Sequence, residues 1–366
     1  MEKNPPKKVF YAVLDMGLGH ATRSLPLIRE FLRLQWQVVI GGNGRSLAYL
    51  KQEAEGARFV ELPDYGFEYS SGGVVTARIL KQVPGALQII ARERRIVDEI
   101  VQDDEVDLVV SDHRFGCYSD VVPSFFISHH LKLMAPLLLK PFEPVGAGFN
   151  RWFHRHYNHV IIPDVVNGRE GLLSGQLSRF KKGTGRYHFP GILSSVSRLD
   201  GVVEDVDLLV SISGPEPQRS EFERIVRSQI GDVPGKKVIA LGRPESDEVE
   251  HPDPDLIIHH CLDRNSMEEY LNRSRLVVAR SGYSTVMELA ELGKKALFVP
   301  TPGQTEQVYL AQRYEDLGWF HSVSQQELDL KRDTGTAVLC SGIPHSFSTA
   351  ETLNKILPLL TGAVPV

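Results

Sequence analysis

Two glycine-containing loops in this sequence have residues suited to binding an anion. The first reads Met-Gly-Leu-Gly-His at 16–20 and follows an apolar run at 9–14; the second reads Arg-Ser-Gly-Tyr-Ser at 280–284 and follows an apolar run at 276–279. Each loop precedes apolar residues at helical spacing, which predicts a strand, a glycine turn and a helix. That geometry directs backbone N–H groups and the positive end of a helix at an anion. One loop in each half predicts two nucleotide-binding-type domains that face one cleft.

His20 and Asp112 are the candidates for proton transfer. His20 lies at the turn into a predicted helix and Asp112 follows the apolar run at 107–111, so both are expected at the carboxyl ends of parallel strands, where the sites of α/β proteins gather. A helix N-terminus disfavours the imidazolium form, which leaves a neutral His20 able to act as a base. Asp112 within reach of it would fix its tautomer and stabilise its protonated form. The alternatives are a histidine that only caps its own helix and an aspartate that only closes a turn.

Glu288 has two competing interpretations. Thr285 with Glu288 three residues later is the pattern of a capping box, in which the glutamate closes back on the helix start. An ionised carboxylate is also a good acceptor for the two hydroxyls of a ribose. One carboxylate cannot serve both roles fully, and we favour the ribose.

Two further loops could contact a phosphorylated sugar. The loop at 302–307 follows an apolar run at 296–299, and its amides and carboxylates could hydrogen-bond sugar hydroxyls; the alternative is a proline-glycine turn with a helix cap. In the loop at 211–219, Ser213 and Gly214 could donate to phosphate and Arg219 could add a positive charge. The alternative there is a proline-rich connection between a strand and a helix.

Metal-binding patterns are weak in this chain. His129 and His130 follow a predicted strand at 124–128, but adjacent side chains are expected to point apart, so contact with an acceptor or surface placement is favoured over a metal. The Asp-Pro-Asp sequence at 253–255 lies in a proline loop and is also expected to hold no metal. The cysteines lack metal spacing, and their odd number argues against a disulfide framework; they are Cys117, Cys261 and Cys340.

The bulk composition describes a globular protein of two domains. The chain has 366 residues, 42% of them hydrophobic, and a formal net charge of -5, so the basic footprint of a nucleic-acid-binding protein is missing. The polar first eight residues lack an apolar signal core, and no run reaches the ~18 apolar residues of a spanning helix; a cytoplasmic protein is expected. The segment 131–157 mixes aromatic and basic residues. It is interpreted as a flap over the acceptor side of the cleft, with peripheral contact to lipid at the inner face of the membrane as the alternative.

Alternating strands and helices predict an α/β fold with two parallel sheets. The strands are short and rich in Val, Ile and Leu, as buried parallel strands are. The predicted domains are 1–198 and 199–346, followed by a C-terminal helix within 347–366 that packs back on the first domain. Predicted strands are 9–14, 37–40, 58–62, 107–111, 124–128, 160–162, 208–212, 238–241, 255–258, 276–279 and 296–299; predicted helices are 22–34, 89–102, 221–228, 267–273, 306–317 and 348–360.

The second half resembles the donor-binding core of the GT-B glycosyltransferases of family 28. The resemblance is carried by the run 280–300, by Gln-Thr-Glu-Gln at 304–307 with Ala311, and by Gly-Leu-Gly-His at 17–20. It implies two Rossmann-like domains, of which the first binds an acceptor and the second a nucleotide-sugar, usually UDP-linked. It also implies an inverting transfer without a metal, because helix dipoles and hydroxyl donors would stabilise the leaving diphosphate.

The resemblance assigns roles to residues by their position in these motifs. Glu288 would bind the ribose, His20 would deprotonate the acceptor hydroxyl with the help of Asp112, and the backbone near Cys261 and Leu262 would hold the uracil. The acceptor, a lipid or a small molecule, would lie near Gly17, Gly19, His129 and His130. The donor-binding residues would be Ser213, Gly214, Arg219, Cys261, Leu262, Ser281, Gly282, Tyr283, Ser284, Thr285, Glu288, Gln304, Thr305, Glu306 and Gln307.

Three other function classes are weighed against a transferase. An NAD-dependent oxidoreductase is disfavoured, because the first loop lacks the third glycine of the dinucleotide fingerprint and Gly-Gly-Asn at 41–43 replaces the expected acidic residue. A nucleotide-sugar epimerase or hydrolase of the same fold would need a carboxylate at the sugar, for which Glu216 is the spare candidate. A sensor that binds a nucleotide-sugar without turnover would not need both His20 and Asp112.

Overall fold

A computed structural model describes residues 7–66, 75–132, 143–180, 185–243 and 245–362. The strands are β1 (Lys8–Val13), β2 (Gln37–Gly42), β3 (Arg58–Glu61), β4 (Leu108–Asp112), β5 (Ser124–Ile127), β6 (His159–Ile161), β7 (Val166–Asn167), β8 (Glu170–Gly171), β9 (Tyr187–His188), β10 (Val206–Ser211), β11 (Lys237–Ala240), β12 (Val249–Asp253), β13 (Leu256–His259), β14 (Ser274–Ala279), β15 (Lys295–Phe298) and β16 (His321–Ser322). The α-helices are α1 (Gly19–Arg33), α2 (Gly44–Glu53), α3 (Val75–Asp103), α4 (Glu143–His154), α5 (Gln218–Gln229), α6 (Arg264–Arg273), α7 (Tyr283–Leu292), α8 (Thr305–Asp316), α9 (Leu330–Leu339) and α10 (Thr349–Thr361).

The chain divides into two compact units. The first unit comprises Met1–Ser195 together with Ser348–Val366, and the second comprises Val196–Phe347. Each unit has its own seven-stranded sheet, and α-helices connect most of the strands from β1 to β6 and all of those from β13 to β16. The expected α/β fold with two Rossmann-like units is confirmed.

The sheet of the first unit is parallel and reverses its strand order beside β1. Its order is β3-β2-β1-β4-β5-β6-β9, and every neighbouring pair is parallel. The chain first builds outward from β1 to β3 and then starts again at β4 on the other side. The carboxyl ends of β1 and β4 therefore form a topological switch point, which is where open α/β sheets bind ligands. The loop that contains His20 follows β1, and Asp112 is the last residue of β4.

The sheet of the second unit has the same design with one antiparallel edge. Its order is β12-β13-β11-β10-β14-β15-β16, and only the β12–β13 pair is antiparallel among the pairs of this sheet. The switch point lies between β10 and β14. The loops that follow β10, β14 and β15 carry most of the predicted donor-binding residues.

Apolar burial explains which elements hold each sheet. In the first unit, β1 is almost completely buried, and its inward residues cluster with α1 and with Ile356 and Leu360 of α10. Helix α10 thus packs with the sheet of the first unit, although the whole second unit precedes it in the chain. In the second unit, a separate cluster joins β10 and β14 to Phe222 and Val226 of α5 and to Leu330 and Ala337 of α9.

Several elements differ from the sequence-based expectations. Helix α1 begins three residues earlier than predicted, and α3 spans Val75–Asp103 where only 89–102 is predicted. Helices α2, α4 and α9 are not predicted at all. The proposed flap at 131–157 contains α4, and its part at 133–142 lies outside the described residues. Within the ranges that the structure describes, no helix combines the length and the apolar character needed to cross a membrane.

Candidate active site

Asp15 fixes the glycine loop of the first unit. Its carboxylate accepts hydrogen bonds from the backbone N–H groups of Arg45 (3.2 Å) and Ser46 (3.1 Å) and from the Ser46 hydroxyl (2.8 Å). These groups begin α2, whose own N-cap residue Asn43 makes no side-chain cap. Gly17, two residues after Asp15, has φ +82°, a conformation that favours glycine. The loop is therefore tied to α2 on one side and leads directly into α1 on the other.

The first turn of α1 brings His20 into contact with Asp112. His20 Nδ1 lies 2.7 Å from Asp112 Oδ1, and Asp112 is completely buried while His20 is partly exposed. An ionised carboxylate only accepts hydrogen bonds, so Nδ1 carries the proton of this contact and Nε2 is the unprotonated nitrogen of the neutral ring; Arg23 Nη2 lies 2.9 Å from the same Nδ1. The carboxylate therefore selects the tautomer whose Nε2 can accept a proton.

Arg23 completes this arrangement and is missed by the sequence analysis. Its Nε donates to Asp112 Oδ2 at 2.7 Å, its Nη2 makes a short contact with Asp112 Oδ1, and its Nη1 lies 2.9 Å from His129 Nδ1. Ser24 Oγ also donates to Asp112 Oδ2 at 2.9 Å. His20, Arg23 and Ser24 occupy neighbouring positions on one face of α1. Polar residues at positions 20, 23 and 24 of a predicted helix, next to apolar residues at 25 and 28, are the pattern from which the sequence could have predicted this cluster.

The charges around Asp112 keep it ionised. Burial alone would raise the pKa of Asp112, but the positive charge of Arg23 and the hydrogen bonds from Arg23 and His20 outweigh it and hold this pKa well below its usual value. The site therefore contains a permanent carboxylate whose charge is balanced by one buried guanidinium.

Three more histidines surround His20. His113 has φ +62°, its ring centroid lies 5.6 Å from that of His20, and its buried Nδ1 has no hydrogen-bond partner within the described residues. Burial and the neighbouring positive groups lower the pKa of His113 well below its usual value. His129 is buried against Arg23, and its ring centroid is 4.3 Å from that of His130. Burial removes the surface alternative for His129 and leaves contact with an acceptor as a prediction, whereas the expectation that the two adjacent rings point apart is wrong.

The glycine loop of the second unit begins α7 without a side-chain cap. Gly282 is the N-cap residue, and glycine has no side chain with which to cap the helix. Thr285 consequently lies inside the first turn of α7 rather than at its cap, so the capping-box interpretation of Thr285 and Glu288 is wrong. Tyr283 is buried, and Ser284, Thr285 and Glu288 are half-buried along the same helix.

Ser281 and Gln307 join the starts of α7 and α8. The buried Ser281 hydroxyl donates to the backbone oxygen of Gln307 at 2.8 Å, and the side-chain oxygen of Gln307 accepts from the backbone N–H of Thr301 at 2.8 Å. A hydroxyl donates only one hydrogen bond, so Ser281 cannot also donate its hydroxyl proton to a phosphate. Its backbone N–H is the group left for the predicted role.

Gly214 and Arg219, two of the predicted phosphate contacts, follow β10. Gly214 has φ +118° and lies beside Thr301. Arg219 is bound to Glu216 at 2.6 Å and to Glu223 at 3.1 Å, and Glu223 also pairs with Arg227 and Arg243. The phosphate contact of Arg219 stays a prediction, and Glu216, the spare carboxylate considered for an epimerase or hydrolase, is held by Arg219.

The other predicted donor residues lie at the same edge of the second sheet. Gln304 is the N-cap of α8 and makes no side-chain cap; it and the first residues of α8, Thr305 and Glu306, are half-buried. Cys261 and Leu262 follow β13, which is separated from β14 by β11 and β10, and burial raises the pKa of the Cys261 thiol. The loops after β10, β14 and β15 are therefore adjacent, whereas the predicted uracil contacts come from a more distant strand. Ser213 lies next to Gly214 in the first of these loops.

Comparison with known proteins agrees with this architecture. Residues 240–334 match the glycosyltransferase family 28 C-terminal domain. Over 356 residues, the chain is 24% identical to an uncharacterized glycosyltransferase of Methanosarcina acetivorans, covering 85% of this chain and 82% of the relative. Over 67 residues it is 40% identical to UDP-N-acetylglucosamine--N-acetylmuramyl-(pentapeptide) pyrophosphoryl-undecaprenol N-acetylglucosamine transferase of Lactococcus lactis subsp. cremoris, which covers 18% of this chain and 19% of that enzyme.

A solved structure extends the likeness to both units. The calicheamicin glycosyltransferase CalG4 is similar with a TM-score of 0.63 and 16% identity, covering 98% of this chain and 95% of that protein. Identity this low shows the fold alone. The family 28 domain at 240–334, the full-length relative and the two-unit fold together make this chain similar to the family 28 glycosyltransferases of the GT-B fold.

Proposed function

We propose that this protein is an inverting, metal-independent glycosyltransferase that moves a sugar from a UDP-linked donor to a hydroxyl acceptor. The observation that carries the proposal is the contact of His20 with the buried, ionised Asp112 at 2.7 Å, at the switch point of the first sheet. A histidine held in this tautomer presents Nε2 as a general base.

The proposed step is a single displacement. Nε2 of His20 takes the proton of the acceptor hydroxyl as the acceptor oxygen forms a bond to the anomeric carbon. The bond from that carbon to the diphosphate oxygen breaks, and the electron pair leaves with the nucleoside diphosphate. Attack opposite the leaving group inverts the anomeric centre, and Asp112 stabilises the imidazolium that forms.

The second unit would bind the donor through backbone groups. Neither N-cap residue, Gly282 of α7 or Gln304 of α8, makes a side-chain cap, and the N–H groups and helix dipoles at these two starts would bind the diphosphate. Glu288 of α7 would accept hydrogen bonds from ribose hydroxyls. The choice of UDP rests on the resemblance to family 28 and on the UDP-N-acetylglucosamine in the name of the Lactococcus relative, not on a contact with the base. Charge stabilisation by helix starts is the reason for proposing a metal-independent reaction.

The acceptor would bind in the first unit beside an aromatic cluster. Phe115 lies 5.6 Å from His113 and 5.6 Å from Phe149 of α4, measured between ring centroids, and Phe153 packs on both phenylalanines. These rings favour an acceptor with an apolar part, either a lipid or a hydrophobic small molecule. Peripheral contact with a membrane and a cytoplasmic location stay predictions.

Thermal-shift measurements with UDP, GDP, TDP and ADP test the donor assignment. At about 100 times its dissociation constant, the correct nucleotide should add about 2.7 kcal/mol of stability. Glu288→Ala should remove most of the shift, while Glu291→Ala, which changes another glutamate of α7, should keep it. A protein that no nucleotide stabilises would contradict the donor assignment.

Turnover measurements test the base. His20→Ala should bind UDP like the wild type but lose transfer, and His159→Ala, a control histidine of the same unit, should keep it. Turnover of a UDP-sugar without any acceptor would favour an epimerase or hydrolase instead. Unchanged transfer by His20→Ala would refute the base assignment.

A further inference from the structure

Arg280 is a buried cation surrounded only by neutral acceptors. It follows β14, it is 2% exposed, and its guanidinium carbon lies 4.2 Å from the ring centroid of Phe222. No carboxylate contacts it within the described residues. Its donors contact the side-chain oxygen of Gln325 (2.6 Å) and the backbone oxygens of Val299 (2.8 Å), Gln218 (3.0 Å), Pro300 (3.3 Å) and Ser213 (3.4 Å).

This environment differs from those of the other deeply buried arginines. Arg23 is paired with Asp112, and Arg114 is paired with Glu93. A buried charge without a counter-charge is unfavourable, and burial lowers the pKa of Arg280 to about 10, at which the group is still protonated at neutral pH. The second unit therefore keeps a positive charge in its interior that its own contacts with Arg280 do not neutralise.

A second polar group next to Arg280 is also unused. The Thr301 hydroxyl is 1% exposed and has no hydrogen-bond partner within the residues that the structure describes. A Cβ atom placed on Gly214 would lie 3.6 Å from this hydroxyl and 3.9 Å from Arg280 Nε. The backbone of Gly214, which has no side chain, therefore lies next to the Thr301 hydroxyl and the Arg280 guanidinium.

We infer that Arg280 is a positioning residue for the diphosphate of the donor, with Thr301 as a further hydrogen-bond donor to it. Arg280 binds the loops after β10 and β15 through their carbonyls and supplies a charge that the diphosphate neutralises when it arrives. This inference rests on the proposed function, and it adds the residues that distinguish a nucleoside diphosphate from a nucleoside.

Calorimetric titration of uridine, UMP and UDP into wild type, Arg280→Gln and Arg280→Lys tests the inference. Arg280→Gln should lower the affinity for UDP roughly 10- to 50-fold. This factor corresponds to the interaction of two unit charges about 8 Å apart at an effective dielectric constant near 20. The affinity of Arg280→Gln for UMP should fall by a smaller factor, and its affinity for uridine should fall less than twofold. Arg280→Lys should recover part of the UDP affinity. Arg275→Gln is the matched control, since it removes an exposed arginine of the same strand, and it should leave all three affinities unchanged.

Thr301→Val provides an independent measurement if Arg280→Gln does not fold. Replacing an unsatisfied buried hydroxyl by a methyl group should leave the unliganded protein as stable as the wild type or more so, while UDP affinity falls several-fold and uridine affinity does not. Equal weakening of uridine and UDP by the Arg280 variants would show that Arg280 only holds the loops. Unchanged UDP affinity in Thr301→Val would remove Thr301 from the site. A wild type that binds none of the three ligands would overturn the proposed function itself.

Discussion

The pairing of Arg23 with Asp112 makes a quantitative prediction about stability. The two side chains are 3% and 0% exposed and share two nitrogen–oxygen contacts. Among the described residues, Arg23→Met leaves the buried carboxylate with His20 and Ser24 as side-chain partners, and Asp112→Asn leaves a buried guanidinium that contacts two histidines, His129 and His20, but no carboxylate. Removing one partner of a buried ion pair costs about 3–5 kcal/mol. The free energy of unfolding of each single variant should therefore be lower than that of the wild type by about this amount.

The double variant separates charge pairing from simple packing. Arg23→Met with Asp112→Asn leaves no unpaired charge, so its cost should be less than the sum of the two single costs by at least about 2 kcal/mol. Urea unfolding followed by tryptophan fluorescence in a Trp319→Phe background measures this, because the two remaining tryptophans, Trp36 and Trp152, lie in the first unit. Additive single costs, or single costs below about 1 kcal/mol, would refute the reasoning.

The pH dependence of the same variants has a defined sign. The folded pKa of Asp112 is lower than the unfolded value of about 3.9. The stability that the ionised Asp112 contributes is therefore complete above about pH 5 and is lost as the pH falls from the unfolded pKa towards the lower folded pKa. The difference in stability between wild type and Asp112→Asn should be constant from neutral pH down to about pH 5 and shrink only in stronger acid.

Three further predictions concern the scaffold. Burial lowers the pKa of His154 from 6.5 to about 4, so stability should fall by up to about 3 kcal/mol as the pH drops from 6.5 towards 4. Urea unfolding should show a smaller change of stability with pH for His154→Gln, and the same pH dependence as the wild type would contradict this. Arg114→Met should lower the free energy of unfolding by about 3–5 kcal/mol in the same assay, because it removes the charged partner of the fully buried Glu93. A loss below about 1 kcal/mol would count against the pairing. Gly242→Ala, at φ +64° with a backbone oxygen 2.7 Å from the new Cβ, should lower the melting temperature, whereas Gly231→Ala, with open space, should not.

The strands were the most predictable part of the fold. Every strand proposed from an apolar run is present with ends within two residues, from β1 at Lys8–Val13 to β15 at Lys295–Phe298. A parallel strand buried on both faces needs an unbroken apolar run, so its signal is local and strong. The switch points then followed from strand order, which is why His20 and Asp112 could be expected at one edge.

What the sequence hid depends on contacts between distant residues. Helix α2 is capped by Asp15 from another loop, so no local cap marks its start at Gly44. Arg23 has the spacing of an ordinary charged helix residue, and its partner Asp112 lies 89 residues away. The capping-box prediction is wrong although its local pattern is present. The helix already begins after Gly282, so Thr285 is not its N-cap residue.

The position of α10 has a consequence for synthesis on the ribosome. Ile356 and Leu360 complete the apolar cluster around β1, yet they emerge only after all of Val196–Phe347. At about 5–20 residues per second, a stretch of about 150 residues takes roughly 8–30 s to translate. During that time the nascent first unit exposes the apolar surface that α10 will cover, whereas the second unit is one continuous stretch and can close its core as it emerges. The half of the protein that is made first is thus the half that finishes folding last, and it is the half that chaperones would hold meanwhile.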